Sequence, residues 1–536
     1  MKVKVATGFL LLIAMLLTAC VQPIPGAPPP QVDTTPQQPE VARILSPLEK
    51  AFAGVGGVEA LQNLSTLSIE ASGVRRTMDE QFSPGVPDEA GSGFTMQLNY
   101  DIAGDNLRLD YTRQRFAGEH QMSEIITGEL GVIDGQDALF GLPGLRNMTS
   151  DRWAAVRKQQ RLLNPHLILR EVAADPSLAT ESGEQLLDGS VHHLLVIEDY
   201  VAPITLYVNA STGHIAKAAT MENDHLRRDV LIEVFYNNWQ PTRDGLFFPT
   251  ELFLVVDGEI LHKEVRSAIE VNQPLDSTLF KLPEGASPTF DEDLAAWGEM
   301  HHQVYQSFAA MGFPRSGLQT NVEAEELARG VYHVRGGSHH SLVIEQTKWI
   351  VVTEAPLHEA RSAAVIDWIK TTFPDKPIMY VIATHHHTDH SAGLRTYVAE
   401  GATVVLHEAA KDLFEEVFQA PSTILPDRLA LNPVAATIET VPADGSYTIP
   451  DETQPVAVYP IKNTHAEDMV IIHVPNAGVV FVSDLYSPNP NATSAGAGGQ
   501  LLHDYITTNG LAVSIIAGGH GATIAFEDFE ALLGSQ

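Results

Sequence analysis

The sequence predicts a two-domain protein in which an antiparallel, β-rich domain precedes a domain of alternating strands and helices. Three observations support this fold class. The 536 residues exceed what one compact core usually holds. Apolar residues recur at every second position over residues 94–102 and again over 107–111, as in half-buried strands. From about residue 321, short apolar strands alternate with helical patterns, which is typical of an α/β layer arrangement.

Composition and charge narrow the class of protein. Hydrophobic residues make up 44% of the chain and charged residues 19%, which is the composition of a folded globular protein. The formal net charge is −34, from 33 basic and 67 acidic residues. Phosphate binding needs concentrated lysine and arginine, so this charge argues against a nucleic-acid partner.

Residues 1–20 have the order of a signal peptide. Lys2 and Lys4 precede an apolar run that is too short to span a bilayer, and small residues precede Cys20. The sequence Leu17-Thr18-Ala19-Cys20 resembles the lipobox of bacterial lipoproteins. That resemblance implies lipidation of Cys20, the single cysteine, and an extracytoplasmic protein anchored to a membrane by its N-terminal lipid. The proline-rich residues 21–46 are predicted to form an extended linker.

Residues 47–288 are predicted to form the β-rich domain. A helical pattern over 48–64 precedes strands at 94–102, 107–111, 204–208, 230–236 and 252–256. An antiparallel, curved sheet with one or two helices fits this pattern. The stretch with Trp239, Phe247-Phe248-Pro249 and Pro274-Leu275-Asp276 resembles the LolA and LppX type of lipoprotein-handling domain. The resemblance implies a concave face that accepts an acyl chain or another apolar ligand, and a purely structural module is the alternative.

Residues 289–320 are predicted to connect the domains, with an amphipathic helix from Asp291 to Gly312. The second domain follows over residues 321–536. Its strand 379–383 leads directly into the hexapeptide His385-His386-His387-Thr388-Asp389-His390, and a helix is predicted over 392–399.

This hexapeptide is a candidate metal site. Strand alternation allows the side chains of His385 and His387 to point the same way, so that both can bind one metal ion. Asp389 and His390 follow at a helix N-terminus, where the helix dipole favours an ionised carboxylate. Histidine and carboxylate ligands without a thiolate suit zinc best, and iron and manganese are alternatives.

The second domain resembles the metallo-β-lactamase superfamily over about 210 residues. His385-x-His387-x-Asp389-His390 matches the HxHxDH signature, and Asn463-Thr464-His465, Asp484 after strand 479–483, and Gly518-Gly519-His520-Gly521 follow in the family's order. The resemblance implies an αββα sandwich with two zinc ions. It also implies that His385, His387 and His465 bind one ion, that Asp389, His390 and His520 bind the other, and that Asp484 bridges them.

For three further residues, Glu354, His339 and His340, the sequence leaves two roles open. The family often has an aspartate that orients a ligand histidine after an early strand, and Glu354 stands in that region here. Glu354 is therefore either an orienting residue or a surface residue. His339 and His340 lie on a predicted turn at the metal cleft, and His340 is the candidate substrate contact, with a solvated turn as the alternative.

The implied activity is hydrolysis. Two metal ions lower the pKa of a shared water from 15.7 to about 7 and give a bridging hydroxide nucleophile. We hypothesise that Asp389 is catalytic, because it can orient this hydroxide and relay a proton to the leaving group. Asp484 occupies a position where many lactamase-type members have cysteine or serine, which favours a small-molecule ester, thioester, lactone or amide, with or without an apolar part, over a β-lactam.

Three alternatives to this hydrolase remain at the sequence level. The chain could be a lipoprotein binding or transport module whose metal domain is not catalytic. It could instead be a β-lactamase, or an iron-dependent persulfide dioxygenase, since that branch keeps the histidine motif. His387 argues against the flavodiiron branch, which has glutamate at the second histidine of the motif.

Overall fold

The structure is a computed structural model that describes residues 45–536 apart from 88, 116–117, 137–143, 199–200, 301–319 and 534–536. The predicted signal peptide with Cys20, nearly all of the predicted linker, and residues 301–319 of the predicted connector lie outside the described residues. Leu45–Gln536 form one compact unit. Among the described residues, no helix is both long and apolar enough to cross a membrane.

The N-terminal domain is built on one antiparallel sheet of thirteen strands in the order β6-β5-β4-β3-β2-β1-β13-β12-β11-β10-β9-β8-β7. The strands are β1 Thr66–Arg75, β2 Ser92–Asp101, β3 Asn106–Arg115, β4 Gly118–Thr127, β5 Leu130–Gln136, β6 Leu145–Asn147, β7 Ala179–Leu187, β8 Ser190–Ile197, β9 Ile204–Asn209, β10 Ile215–Asp224, β11 Arg228–Pro241, β12 Phe247–Val256 and β13 Glu259–Val271. The predicted antiparallel sheet is confirmed. The turn between β12 and β13 contains Asp257 and Gly258, both at positive φ, as a tight hairpin requires.

Helices cover one face of this sheet. They are α1 Pro47–Gly54, α2 Val58–Gln62, α3 Ser150–Leu163, α4 Pro165–Ala174 and α5 Glu292–Met300. The single helix expected over 48–64 is two helices, because Gly56 and Gly57 both have positive φ (114° and 98°), which a continuous α-helix does not allow. Buried side chains such as Ile69, Leu98 and Ile168 form the core between strands and helices.

The C-terminal domain contains two further sheets. The seven-stranded sheet consists of β14 Glu323–Ala328, β15 Val331–Arg335, β16 Ser341–Glu345, β17 Ile350–Thr353, β18 Ile378–Ile382, β19 Thr403–His407 and β20 Thr437–Val441. The six-stranded sheet consists of β21 Tyr447–Ile449, β22 Val456–Pro460, β23 Val470–Val474, β24 Val479–Val482, β25 Ile515–Gly518 and β26 Thr523–Ala525. Strands β17 to β20 run parallel, as do β24 and β25, and the remaining pairs are antiparallel.

Three apolar clusters hold this domain together. The helices are α6 Glu359–Thr372, α7 Thr388–Ser391, α8 Leu394–Ala399, α9 Lys411–Gln419, α10 Arg428–Leu431, α11 Gly496–Thr508 and α12 Phe526–Leu533. One cluster joins the seven-stranded sheet to α6, α8 and α9. A second contains side chains from both sheets, among them Ile344 and Phe481. The third joins the six-stranded sheet to α11 and α12.

The two domains touch directly. Leu226 of the N-terminal domain is buried in the cluster under α6 and α8. Asp229, at the start of β11, accepts hydrogen bonds from the backbone N–H and the hydroxyl of Thr423 at 2.7 and 2.6 Å. Arg228 lies 3.5 Å from the carboxylate of Asp427, and both side chains are buried. The domains therefore share an interface with apolar and polar parts.

Candidate metal centre

The candidate ligands follow the ends of strands in both C-terminal sheets. The chain leaves β18 at Ile382 and enters the turn that contains His385, His387 and His390, all at most 3% exposed. Asp484 follows β24, and His520 follows β25, which is parallel to β24. His465 lies on the connection between β22 and β23. The predicted ligands thus meet at one edge of the two sheets.

One group of potential ligands consists of His385, His387, His465 and Asp484. Each offers a ligand atom, and these atoms all lie within 4.8 Å of one another. The rings of His385 and His387 are 4.5 Å apart, and Nε2 of His465 lies 3.2 Å from Oδ2 of Asp484. The structure therefore brings together the three histidines that the sequence assigned to one ion.

A second group consists of Asp389, His390, His520 and, in addition, His339, again with ligand atoms within 4.8 Å of one another. Oδ1 of Asp484 lies 2.9 Å from Nε2 of His390 and 3.1 Å from Nε2 of His520. The two oxygens of Asp484 thus face different groups, Oδ2 the first and Oδ1 the second. This is the placement that a bridging carboxylate requires.

Outer hydrogen bonds orient the ligand rings. Nδ1 of His385 lies 3.1 Å from the hydroxyl of Thr384, and Nδ1 of His520 donates to the carbonyl of Ser338 at 2.7 Å. In each ring the other nitrogen is left to face the cluster. Metal-binding histidines almost always have such an outer partner, which fixes the ring and its tautomer.

Glu354 is one of these outer partners and is not a surface residue. It follows β17, and its side chain has no exposed surface. Its Oε1 lies 3.0 Å from Nδ1 of His390 and accepts a hydrogen bond from the hydroxyl of Thr384 at 2.7 Å. Of the two alternatives that the sequence left open, the structure therefore places Glu354 in the orienting position.

The neighbouring histidines 339 and 340 differ in their contacts. His339 faces the cluster, with Nε2 3.3 Å from Oδ2 of Asp389. The ring of His340 bonds backbone groups instead: Nε2 donates to the carbonyl of Gly521 at 2.9 Å, and Nδ1 accepts from Gly336 at 3.4 Å. His339 is thus the member of the pair at the cluster, and the substrate contact assigned to His340 stays a prediction.

The remaining histidine of the hexapeptide points away from the ligand groups. His386 is fully buried, and its Nδ1 lies 2.7 Å from the carboxylate of Asp468. The five ionisable residues of the hexapeptide are therefore three histidines and one aspartate that face the cluster, and one histidine that anchors the turn to the connection between β22 and β23.

Burial and neighbouring charges shift the pKa values of the ligands. Burial and the nearby rings of His390 and His387 hold the pKa of His385 well below its usual value, and burial lowers the pKa of His387 to about 4. Burial would raise the pKa of Asp484, but His390 and the hydrogen bonds around the carboxylate hold it well below its usual value. Neutral imidazoles and an ionised carboxylate are the forms that bind metal ions.

The pKa of His390 shifts in the opposite direction from those of His385 and His387. Burial would lower its pKa, but the carboxylates of Asp484, Glu354 and Asp389 raise it well above its usual value. This concentration of carboxylates around a buried ring favours a positive charge at this position. A bound cation satisfies the same electrostatic demand.

The residues present fit a pair of metal ions. Nε2 of His385 is buried, faces the cluster, and has no hydrogen-bond partner among the described residues. A buried polar atom without a partner is costly, and a metal ion would give it one. The donor set of imidazole and carboxylate, with no thiolate, suits zinc, and iron and manganese remain alternatives.

Comparisons with known proteins identify one family for part of the C-terminal domain. A family model described as "Metallo-beta-lactamase superfamily" matches residues 366–520, and this range includes every predicted ligand. The match does not extend into the thirteen-stranded sheet domain. The comparison with curated proteins gives no match.

Several solved structures are similar to part of the chain. A metallo-beta-lactamase from Pontibacter korlensis is 16% identical, with 40% of this chain and 98% of that chain covered and a TM-score of 0.32. A metallo beta lactamase from Hirschia baltica is 19% identical, with 39% and 95% covered and a TM-score of 0.30. One from Erythrobacter litoralis is 15% identical, with 40% and 95% covered and a TM-score of 0.30. From the family match, the C-terminal region contains a metallo-beta-lactamase superfamily domain.

Proposed function

We propose that the protein is a zinc-dependent hydrolase with two metal ions, one bound by His385, His387 and His465 and the other by Asp389, His390 and His520. The observation that carries the proposal is the position of Asp484, whose two oxygens face the two ligand groups at 2.9 to 3.2 Å. His339 is a candidate further ligand of the second ion, because it belongs to the same group.

Bound metal ions supply Lewis acidity, which lowers the pKa of water and polarises a carbonyl or phosphoryl oxygen. The chain's own residues position the reacting groups. Asp484 keeps the two ligand groups at a fixed separation, and Glu354 and Thr384 hold the rings behind them. Asp389 is 20% exposed, so its carboxylate is accessible from the cleft and can receive a proton and pass it to a leaving group.

The proposed substrate class is supported by the resemblance to the metallo-β-lactamase superfamily at one position of the centre. A carboxylate at position 484, where many lactamase-type members have cysteine or serine, favours an ester, thioester, lactone or amide over a β-lactam. The first domain and its apolar core support no particular substrate. The αββα arrangement is part of this proposal, and the three apolar clusters of the C-terminal domain support it.

The cellular location is also a proposal. The order of residues 1–20 and the sequence ending at Cys20 support an extracytoplasmic protein with an N-terminal lipid anchor. The likeness of the first domain to LolA and LppX proteins is supported only by its antiparallel sheet. Labelling of Cys20 with a radioactive or clickable fatty acid in a bacterial host, with Cys20→Ser as the control, tests the anchor.

Metal content and turnover test the function. We expect the purified chain to bind about two zinc ions and to hydrolyse at least one member of a panel of esters, thioesters, lactones and amides. His387→Gln is expected to lose metal and turnover. His473→Gln is the matched control, because His473 is also a buried histidine but bonds the carbonyl of Ala512. A zinc-loaded chain that is inert on the whole panel would refute hydrolysis and favour a binding module.

A further inference from the structure

The segment 76–87, which follows β1 of the N-terminal sheet, reaches into the metal centre of the C-terminal domain. We call this segment the strap. The carbonyl of Asp79 accepts a hydrogen bond from the backbone N–H of Thr388 at 3.2 Å, and the carbonyl of Phe82 accepts one from Glu467 at 2.7 Å. Thr388 belongs to the ligand turn, and Glu467 lies two residues after His465. The strap therefore joins two of the three segments that carry ligands of the first group.

A third hydrogen bond acts on a ligand itself. Nε2 of His387 lies 2.9 Å from the carbonyl oxygen of Gln81. A carbonyl can only accept, so Nε2 carries the proton and donates it. The lone pair of His387 is then on Nδ1, on the side of the ring away from the strap. The N-terminal domain thus fixes both the orientation and the tautomer of a predicted metal ligand.

The strap also brings a carboxylate to the centre. An oxygen of Glu80 lies within 4.8 Å of ligand atoms of both His387 and Asp389. Together with Asp389 and Asp484, Glu80 adds to the negative charge around the ligands, and negative charge favours bound cations. Its side chain is only half-buried, so it lies at the rim of the centre.

An ion pair holds the strap in this position. Asp79 is 2% exposed, has a positive φ of 55°, and receives two hydrogen bonds of 2.7 Å from the guanidinium of Arg227. Arg227 lies on the turn between β10 and β11, where the carboxylate of Asp224 binds its backbone N–H at 2.8 Å. This two-pronged ion pair restricts the conformation of Asp79 and so helps to position the carbonyl groups that follow it.

We propose that the strap is part of the metal centre and sets its cation affinity, through the carbonyl of Gln81 on His387 and through the charge of Glu80. The inference rests on the proposed metal centre and goes beyond it, because it assigns a role at that centre to the N-terminal domain. Gln81 is a positioning residue here, since it acts through His387, whereas Glu80 acts by its charge.

The test uses the full chain and three variants. Glu80→Gln removes the charge and keeps the shape, and Arg227→Met removes the anchor of Asp79. Asp229→Asn is the matched control, because it weakens another contact between the domains, that with Thr423, on a loop that carries no predicted ligand. Zinc affinity is measured by competition with a chromophoric chelator, and cobalt(II) absorption reports the geometry of the bound ion.

We expect Glu80→Gln and Arg227→Met each to bind one of the two zinc ions about 10 to 100 times more weakly than wild type. Arg227→Met is also expected to change the cobalt spectrum, since His387 loses its fixed orientation. Asp229→Asn should keep both properties. If Arg227→Met does not fold, Glu80→Gln decides alone.

The inference is overturned if both strap variants retain the zinc affinity and cobalt spectrum of wild type. It is also overturned if Asp229→Asn loses as much affinity as they do, because general loosening of the domain interface would then explain the effect. A wild-type chain that binds neither zinc nor cobalt would instead refute the proposed metal centre itself. The two failures are therefore distinguishable.

Discussion

Substitution of Glu354 tests the outer hydrogen bonds of the metal centre most directly. Its carboxylate is fully buried and bonds His390 and Thr384. Gly519 leaves room for it, because a Cβ at that position would lie 3.1 Å from both carboxylate oxygens. Glu354→Gln keeps an acceptor oxygen of the same shape and removes the charge. Glu354→Ala removes both.

The expected size of the effect follows from the bond to His390. A hydrogen bond to a charged partner contributes about 1.5 to 3 kcal/mol, and one between neutral groups about 0.5 to 1.5 kcal/mol. Removing the charge in Glu354→Gln is thus expected to make the free energy of metal binding less favourable by roughly 1 to 1.5 kcal/mol, which is about tenfold in metal affinity. Losing the whole bond in Glu354→Ala costs up to about 3 kcal/mol, or roughly a hundredfold.

Chelator competition measures the zinc affinity of both Glu354 variants and of wild type. Thermal unfolding of the metal-free chains checks that each variant folds. Asp427→Asn is the control, because Asp427 is a buried carboxylate of the same domain that bonds Arg395 and contacts no predicted ligand. It should lose stability and keep zinc affinity. Wild-type affinity in both Glu354 variants would refute the orienting role of this carboxylate.

Two further predictions concern single histidines. His339→Ala is expected to lower the affinity for the second zinc ion about tenfold, whereas His340→Ala should leave this affinity within about twofold of wild type. Chelator competition measures both affinities, and a larger loss in His340→Ala than in His339→Ala would contradict the geometry. Burial lowers the pKa of His166 to about 3, so this group is neutral when folded and takes up a proton on unfolding below about pH 6.5. The free energy of unfolding should therefore fall by up to about 1.4 kcal/mol more per pH unit between pH 6 and 4 in wild type than in His166→Gln, as urea unfolding would show. Equal slopes would contradict it.

The ligand residues were predictable because their signal is local or follows a family order. His385, His387, Asp389 and His390 lie on one strand-to-helix turn, so their spacing alone places them together. His465, Asp484 and His520 have no such spacing, and only the resemblance to the metallo-β-lactamase superfamily linked them to the turn. The structure brings all seven together within the two groups.

The surroundings of the ligands were not predictable in the same way. His339 and His340 are adjacent on one turn, and the choice between them depends on backbone geometry that the sequence does not encode locally. The contact between Gln81 and His387 joins residues 306 positions apart in different domains. No pattern within either domain indicates it, because a backbone carbonyl of any residue type can serve as the acceptor.

The size of the first sheet was also underpredicted, for a physical reason. Period-two alternation appears only where one face of a strand is buried and the other is exposed. Strand β7 is exposed at nearly every position, so it has no alternation to detect. In the C-terminal domain, strand β24 is buried at every position, and its continuous apolar run over 479–482 marked it correctly.

The position of the ligands ties metal binding to the packing of the whole C-terminal domain. The ligand turn follows β18 of the seven-stranded sheet, whereas Asp484 and His520 follow β24 and β25 of the six-stranded sheet. The two halves of the centre are therefore held in register by hydrogen bonds such as that from His520 to Ser338 and by the apolar cluster that the sheets share. This cluster includes Ile382 and Phe481, the residues at or near the ends of β18 and β24. Well-packed interiors transmit small shifts. A change of volume in this cluster should act on the distance between the ligand groups, and hence on the second metal ion, without touching any ligand.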